Sequence, residues 1–213
     1  QCRACEAVCP SGVPYGRLME STRAQVAKSN KESTRLRFIK LLFLRGVLPH
    51  LTLLHIGAWV MRLYQRCGIQ RMLRASHLLK VLPGGLTEIE GQLPVIKERV
   101  FRPAARVFTA YGSSRMKVGL LSGCVMPVLQ PSAMDASVEV LTRNLCDVAV
   151  PIGQGCCGAL NLHSGDVEMA RKMARRNIDI FLKARVEKVI VASAGCGSEM
   201  KEYSELLSND AHY

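Results

Sequence analysis

Aromatic residues are scarce in this chain of 213 residues: they make up 5% of it, and there is a single Trp. Proteins that read nucleic acid stack bases on aromatic rings or carry a recognition motif, and neither is found, so nucleic acid is excluded as a partner despite a formal net charge of +12. No Gly-x-Gly-x-x-Gly run precedes a helical pattern, which excludes a dinucleotide fold. Acidic residues are few where basic ones gather: residues 1–117 hold 20 Lys+Arg against 6 Asp+Glu, while 118–213 hold 9 against 11. A long apolar run is also missing. The longest stretch without Lys, Arg, Asp or Glu is the 16 residues from Gly46 to Met61, interrupted by Pro49, His50 and His55, short of the roughly 20 that a spanning helix needs.

Pairable cysteines are lacking too. The nine cysteines are odd in number and sit beside glycines, a pattern of metal-bound thiolates in a reducing compartment and not of secreted disulfides. Three of them form the run Cys2-Arg-Ala-Cys5-Glu-Ala-Val-Cys9-Pro10. This matches the last three cysteines of the ferredoxin motif C-x2-C-x2-C-x3-C-P, whose first cysteine would precede Gln1. Consecutive x2 spacings wrap three thiolates around one cubane, and the Cys-Pro thiolate bonds a neighbouring cluster. Cys2 and Cys5 are therefore assigned to one [4Fe–4S] cluster and Cys9 to the next. A zinc site is the alternative for such a triplet. With no initiating Met, the chain is expected to be a piece of a longer protein, unable as it stands to complete either ferredoxin cluster.

Four segments are expected. Residues 1–16 are the C-terminal part of a second ferredoxin-type motif, 17–80 a helical, basic, Leu/Arg-rich segment, 81–115 a linker, and 116–213 a cysteine-rich domain. A helix should begin near Arg17, and two or three more should follow between Ser33 and Lys80 with breaks at Gly46, Pro49 and Gly68. A short helix is placed around Ile96–Val107 in the Pro-punctuated linker. Beyond Met116, short β-branched runs at Lys117–Ser122, Asp147–Ile152 and Lys188–Ser193 alternate with helical stripes through Met134, Val138, Leu141 and Leu145, and through Ala170, Met173, Ala174, Ile178 and Phe181. That is the pattern of a βαβαβα unit on a buried parallel sheet. The fold class is mixed α and α/β: a ferredoxin-like loop remnant, a helical basic segment, then the parallel-sheet domain.

Each β run is followed by glycine and cysteine: Gly123-Cys124, Gly155-Cys156-Cys157-Gly158 and Gly195-Cys196-Gly197. The C-terminal ends of parallel strands share one edge, so Cys124, Cys156, Cys157 and Cys196 should meet at a rim and form a further metal site, iron–sulfur or zinc. Cys146 begins a strand at the opposite edge and is excluded. Cys67 is read as a small helix-packing residue. His163 is read as a polar residue at a helix start, the alternative being a hydrogen-bond donor to the metal site. Glu199 is read as an acid in a first helical turn, the alternative being an oxygen ligand. Trp59 and Tyr64 are read as core or interface anchors.

The runs Cys-Pro-Ser-Gly-Val-Pro-Tyr-Gly-Arg (9–17), Leu-Ser-Gly-Cys-Val (121–125), Gly-Cys-Cys-Gly-Ala-Leu (155–160) and Ala-Gly-Cys-Gly (194–197) closely resemble the iron–sulfur subunits of bacterial glycolate oxidase, a family with the cysteine-rich CCG domain. The resemblance covers nearly the whole chain. It implies two ferredoxin motifs and two CCG domains in an intact protein about twice as long, with residues 116–213 as the first CCG domain. It further implies two [4Fe–4S] clusters that take electrons from FAD on a partner glycolate-oxidising subunit and pass them to a quinone-linked acceptor. Substrate chemistry would lie on the flavoprotein, with no catalytic residue in this chain. Relatives in heterodisulfide reductase, lactate utilisation and glycerol-3-phosphate dehydrogenase supply the alternatives, including a thiol–disulfide activity; Glu199 stands where many CCG domains have a second cysteine. Residues 21–80, with 12 Lys+Arg against Glu32 alone, suit an anionic membrane surface, an acidic partner subunit or plain solvent. A cytoplasmic location at the inner face of the membrane is expected.

Overall fold

Apolar runs that are buried on both faces settle into the middle of a sheet, and the run from Val118 to Leu121 is buried at every position. The computed structural model describes residues 4–29, 33–76, 85–96 and 99–213. Its sheet has β1 (Ala104–Phe108), β2 (Met116–Leu121), β3 (Cys146–Val150) and β4 (Lys188–Val191) in the order β1-β3-β2-β4. Strand β2 pairs in parallel with both neighbours, Val118 lying opposite Val148 on one side and Lys188 on the other. Strand β1 joins the far edge of β3 antiparallel, with an irregularity between Ala104 and Val107. The sheet is therefore mixed, and the helix expected around Ile96–Val107 is not found: its C-terminal part is β1. Ala and Arg favour helix on their own, but the open edge of β3 offers a ladder of unpaired backbone groups, and pairing prevails over propensity.

Side chains alternate across β2, and each face is covered by one long helix. On one face Val118 and Leu120 pack with Val148 and Val150 against Met134 and Val138 of the helix Pro131–Arg143. On the other, Leu121 packs against Met173 and Phe181 of the helix Val167–Lys183, which Asp166 caps by accepting from the Met169 N–H. Gly119 lies on this second face, where an added Cβ would come within 2.7 Å of the Phe181 ring. The missing side chain is what lets the ring lie on the strand.

The N-terminal half is helical. In chain order come α1 (Ala4–Ala7), α2 (Tyr15–Lys28), α3 (Thr34–Leu41), a π-helical turn (Leu42–Val47), α4 (Leu51–Arg66), α5 (Ile69–Ala75) and α6 (Leu86–Gly91). Gly46 does not break the helix as expected: it sits inside the π-helical turn, and the break comes only at Pro49. The α3–π segment and α4 form an elbow bent by 106°. Its inner residues Leu44 and Leu48 are buried in the same core as Leu121, with Leu51 and Leu54 packed alongside, and Asn161 donates to the Leu44 carbonyl at 3.1 Å. Arg45 clasps Asp166 through two hydrogen bonds of 2.7 and 2.8 Å. On α6, Glu90 accepts from Arg74 and Gln70 at 2.8 Å each, tying the linker back to α5. Pro83 and Gly84 of the linker and residues 77–80 of the basic segment lie outside the described residues.

Replacing Gly119 by Ala is expected to destabilise the fold by about 1–3 kcal/mol, the cost of overpacking a filled core. Urea denaturation of the two proteins checks this, and Ala at the exposed Gly57, which nothing approaches within 4 Å, serves as the control.

Candidate metal centre

Because β2, β3 and β4 run in parallel, the loops that leave their C-terminal ends lie along one edge. Cys124 follows β2, Cys156 and Cys157 follow β3, and Cys196 lies in the first turn of the helix Ala194–Lys201 after β4. All four belong to one cluster, Cys124, Cys156 and Cys157 buried and Cys196 half-buried against them. The Cys124 and Cys156 sulfurs are 3.5 Å apart, and the Gly158 N–H points at the Cys156 sulfur at the same distance. Gly158 has φ of +95° and lies 3.2 Å from the Ala170 backbone measured from an added Cβ, so only glycine lets this loop turn into the helix Ala159–His163.

A buried polar scaffold holds the double-cysteine loop. Asn177 accepts from the Gly155 N–H at 2.9 Å and donates to the Cys156 carbonyl at 3.0 Å. Tyr203 donates its hydroxyl proton to the Cys157 carbonyl at 2.7 Å. Gln154, with no exposed surface, accepts from the Ser122 N–H at 2.7 Å and donates to the Leu120 carbonyl at 3.2 Å, stitching the loop after β3 to the end of β2. None of these three residues was singled out by the sequence. The one available signal was Asn177, a polar residue on the otherwise apolar stripe of its helix; Gln154 and Tyr203 carry no such mark.

The thiols perturb one another. The hydrogen bond with Cys156 holds the Cys124 thiol below its ordinary value. The same bond, then burial, pushes Cys156 up to about 12. Its hydrogen bond with Cys156, reinforced by burial, pushes Cys157 up to about 12 as well, and Cys196 is raised by Cys157 and by burial. Cys124 is thus the first of the row to give up its proton, and its neighbours hold theirs more tightly. Soft sulfur donors of this kind suit iron–sulfur or zinc. The Ser122 hydroxyl, buried at the foot of the Cys124 loop, has no hydrogen-bond partner among the described residues and is free to meet a bound group. In arrangement, however, no three His, Cys, Asp or Glu side chains among the described residues stand around one point as a single ion requires. The sulfur donors fit either an iron–sulfur cluster, whose thiolates would attach to different metal atoms, or zinc.

The other candidates fall elsewhere. Cys2 lies outside the described residues. Cys5 is exposed on α1, and Cys9 is partly covered, its thiol lowered chiefly by the backbone N–H groups of Val13 and Ser11. Cys146 is half-buried at the start of β3. Cys67 is exposed after α4, which corrects its reading as a packing residue: the chain turns outward there at Gly68. His163 ends its helix instead of starting it and pairs with Glu20 of α2 at 3.2 Å, away from the thiols. Glu199 is buried in the second turn of its helix, not the first, where its charge helps to raise Cys196. Trp59 is exposed, whereas Tyr64 reaches Glu90 at 3.4 Å.

Two outcomes follow from this geometry. Replacing Asn177 by Leu strands the Gly155 N–H and the Cys156 carbonyl, and is expected to cost about 2–4 kcal/mol in urea denaturation, with less metal retained per protein. Cys156 and Cys157 bind protons more tightly folded than unfolded, so their contribution to metal-free stability is present below pH 9.0 and is lost as the pH rises toward about 12. Thermal melts of chelator-treated protein should fall across that window, and less steeply for Cys156→Ser.

Residues 118–201 match the family described as "Cysteine-rich domain" (CCG), and residues 35–93 match "Glycolate oxidase iron-sulfur subunit, linker region". Over its whole length the chain is 35% identical to the "Probable glycolate oxidase iron-sulfur subunit" of Bacillus subtilis, covering 48% of that protein, and 31% identical to the "Glycolate oxidase iron-sulfur subunit" of Escherichia coli, covering 47% of it. "Lactate utilization protein A" of Bacillus velezensis is 39% identical over 95 residues, 45% of this chain and 39% of that protein. No solved structure gives a significant match. The chain spans about half the length of the full-length curated relatives it matches. Residues 118–201 thus belong to the CCG cysteine-rich family, and the chain as a whole is similar to the iron–sulfur subunits of glycolate oxidase.

Proposed function

We propose that this chain is part of an electron-relay subunit in a flavin-dependent glycolate or 2-hydroxy-acid dehydrogenase of the reducing cytoplasm. The observation that carries the reading is the gathering of Cys124, Cys156, Cys157 and Cys196 along one sheet edge, in a chain similar over its whole length to glycolate oxidase iron–sulfur subunits. Iron–sulfur clusters take up and release electrons singly, which suits a two-electron flavin donor on a partner subunit and a quinone-linked acceptor. In this reading Cys2 and Cys5 hold one [4Fe–4S] cluster, Cys9 holds its neighbour, and the four rim thiols hold a further metal group. Asn177, Gln154 and Tyr203 keep the rim thiols in place. Residues 1–16, 17–80, 81–115 and 116–213 are then cluster loop, basic helical segment, linker and first CCG domain.

A second reading has one observation in its favour, the 3.5 Å approach of the Cys124 and Cys156 sulfurs, with the Cys124 thiol held below its ordinary value and Cys156 raised. In a thiol–disulfide reaction the Cys124 thiolate would attack a substrate disulfide and release one thiol. Cys156 would then displace the other, leaving a Cys124–Cys156 disulfide and two product thiols.

The full-length subunit purified without oxygen should be brown, contain iron and acid-labile sulfide, show reducible cluster signals by EPR, and co-purify with a flavoprotein that oxidises glycolate. Colourless protein holding zinc alone overturns both readings. Reduction of a disulfide by the subunit without a flavoprotein, with a mixed disulfide trapped on Cys124 by Cys156→Ser, reverses their order.

A further inference from the structure

Ordinary surface helices point apolar residues inward and polar ones to water, and α4 does not. Its inner side, Leu51 and Leu54, packs toward the thiol cluster. Its outer side is apolar as well: Leu53, Ile56, Trp59, Val60 and Leu63 form one stripe at helical spacing, Trp59 with 64% of its surface exposed. The other limb of the elbow exposes Phe38, Ile39, Leu42 and Phe43. Among the described residues no single helix is long and apolar enough to cross a membrane, and the two limbs pass that test only together, across their 106° bend. At 1.5 Å per residue α4 is about 24 Å long, under the roughly 30 Å of a bilayer core.

Charge identifies what covers this face. Residues 34–76 hold eight Lys+Arg and no Asp or Glu. Arg35 on α3, Arg66 at the end of α4 and Arg71 on α5 are exposed. Next to α4 a cavity of about 650 Å³ is lined by His50, His55, Trp59, Arg102 and Arg176 without a single carboxylate, and the buried Nε2 of His55 has no hydrogen-bond partner among the described residues. Apolar residues with a Trp, flanked by cations and beside a donor-rich hollow, match the interface of a bilayer whose headgroups carry negative phosphodiesters.

We propose that the α3–π–α4 elbow lies in the plane of an anionic lipid surface, its outer face in the headgroup layer and the cavity beside α4 seating a headgroup phosphate. Two axes that meet at an elbow share a plane, so both limbs can lie along a membrane that neither crosses. The inner face of the same elbow covers the rim thiols. Docking would therefore hold the thiol centre about one helix diameter, ~10 Å, from the lipid, close to any carrier dissolved there.

The test is flotation of the full-length subunit with vesicles of phosphatidylcholine alone or mixed with phosphatidylglycerol, at low and high salt. Binding to the mixed vesicles, weakened by salt, is expected, together with quenching of Trp59 by brominated lipid, identified by its loss in Trp59→Phe. Ile56→Glu with Val60→Glu, and separately Arg66→Glu with Arg71→Glu, should each weaken binding about tenfold or more, with circular dichroism unchanged because all four residues are exposed. Absence of binding to mixed vesicles, equal binding to neutral ones, or binding that survives both pairs overturns the proposal. So does a face that is shielded by a protein subunit in the purified complex. Vesicle binding is read without electron transfer, so its failure leaves the relay reading standing, and loss of the clusters leaves docking testable.

Discussion

Parallel pairing of β2 with β3 and β4 is the constraint on which the rest depends. Antiparallel strands would send successive loops to opposite ends of the sheet. Parallel ones send every strand-end loop to the same edge. Three short sequences carrying Gly and Cys, separated by more than thirty residues each, are neighbours for that reason alone. The helices that return the chain from one strand to the next also supply the two cores, one on each face, against which three of the rim thiols are buried and the fourth half-buried.

Holding thiols there has a cost in proton affinity. Four sulfurs packed together without a metal keep most of their protons, and Cys156, Cys157 and Cys196 are all raised by a neighbour in the row. A cluster bound here would relieve this by replacing protons with metal ions. The loop would still be floppy if its backbone were left unpaired. Asn177 and Tyr203 satisfy it from one helix and the segment after another, and Gln154 joins it to β2. These uncharged groups fix the cysteines while leaving their sulfur atoms uncommitted.

The elbow above the rim is used on both sides. Its inner leucines complete the core around the cysteines, and its outer residues remain apolar although they face outward. The π-helical turn at Leu42–Val47 absorbs Gly46 and lets the segment continue to Pro49 before it bends. A regular break at Gly46 would have shortened the limb that carries Phe38 and Phe43.

Local chemistry was sufficient to read the three strands from Val118, Val148 and Val189 onward, the stripes through Met134 and Met173, and the four rim cysteines, because each depends on periodicity or on a residue type placed directly after a strand. It failed where the outcome depended on a distant partner. Ala104–Phe108 looks helical until the edge of β3 pairs with it; Cys67 looks like a packing residue until the chain turns outward; His163 finds Glu20 on a helix well over a hundred residues earlier. The sequence by itself determined which residues bring thiols and that they sit at strand ends, since spacing and composition are local properties. Only the tertiary structure decided which polar groups secure those atoms, and which face of the elbow is left bare. Hydrogen bonds across dozens of residues, and burial itself, exist only once the chain has folded.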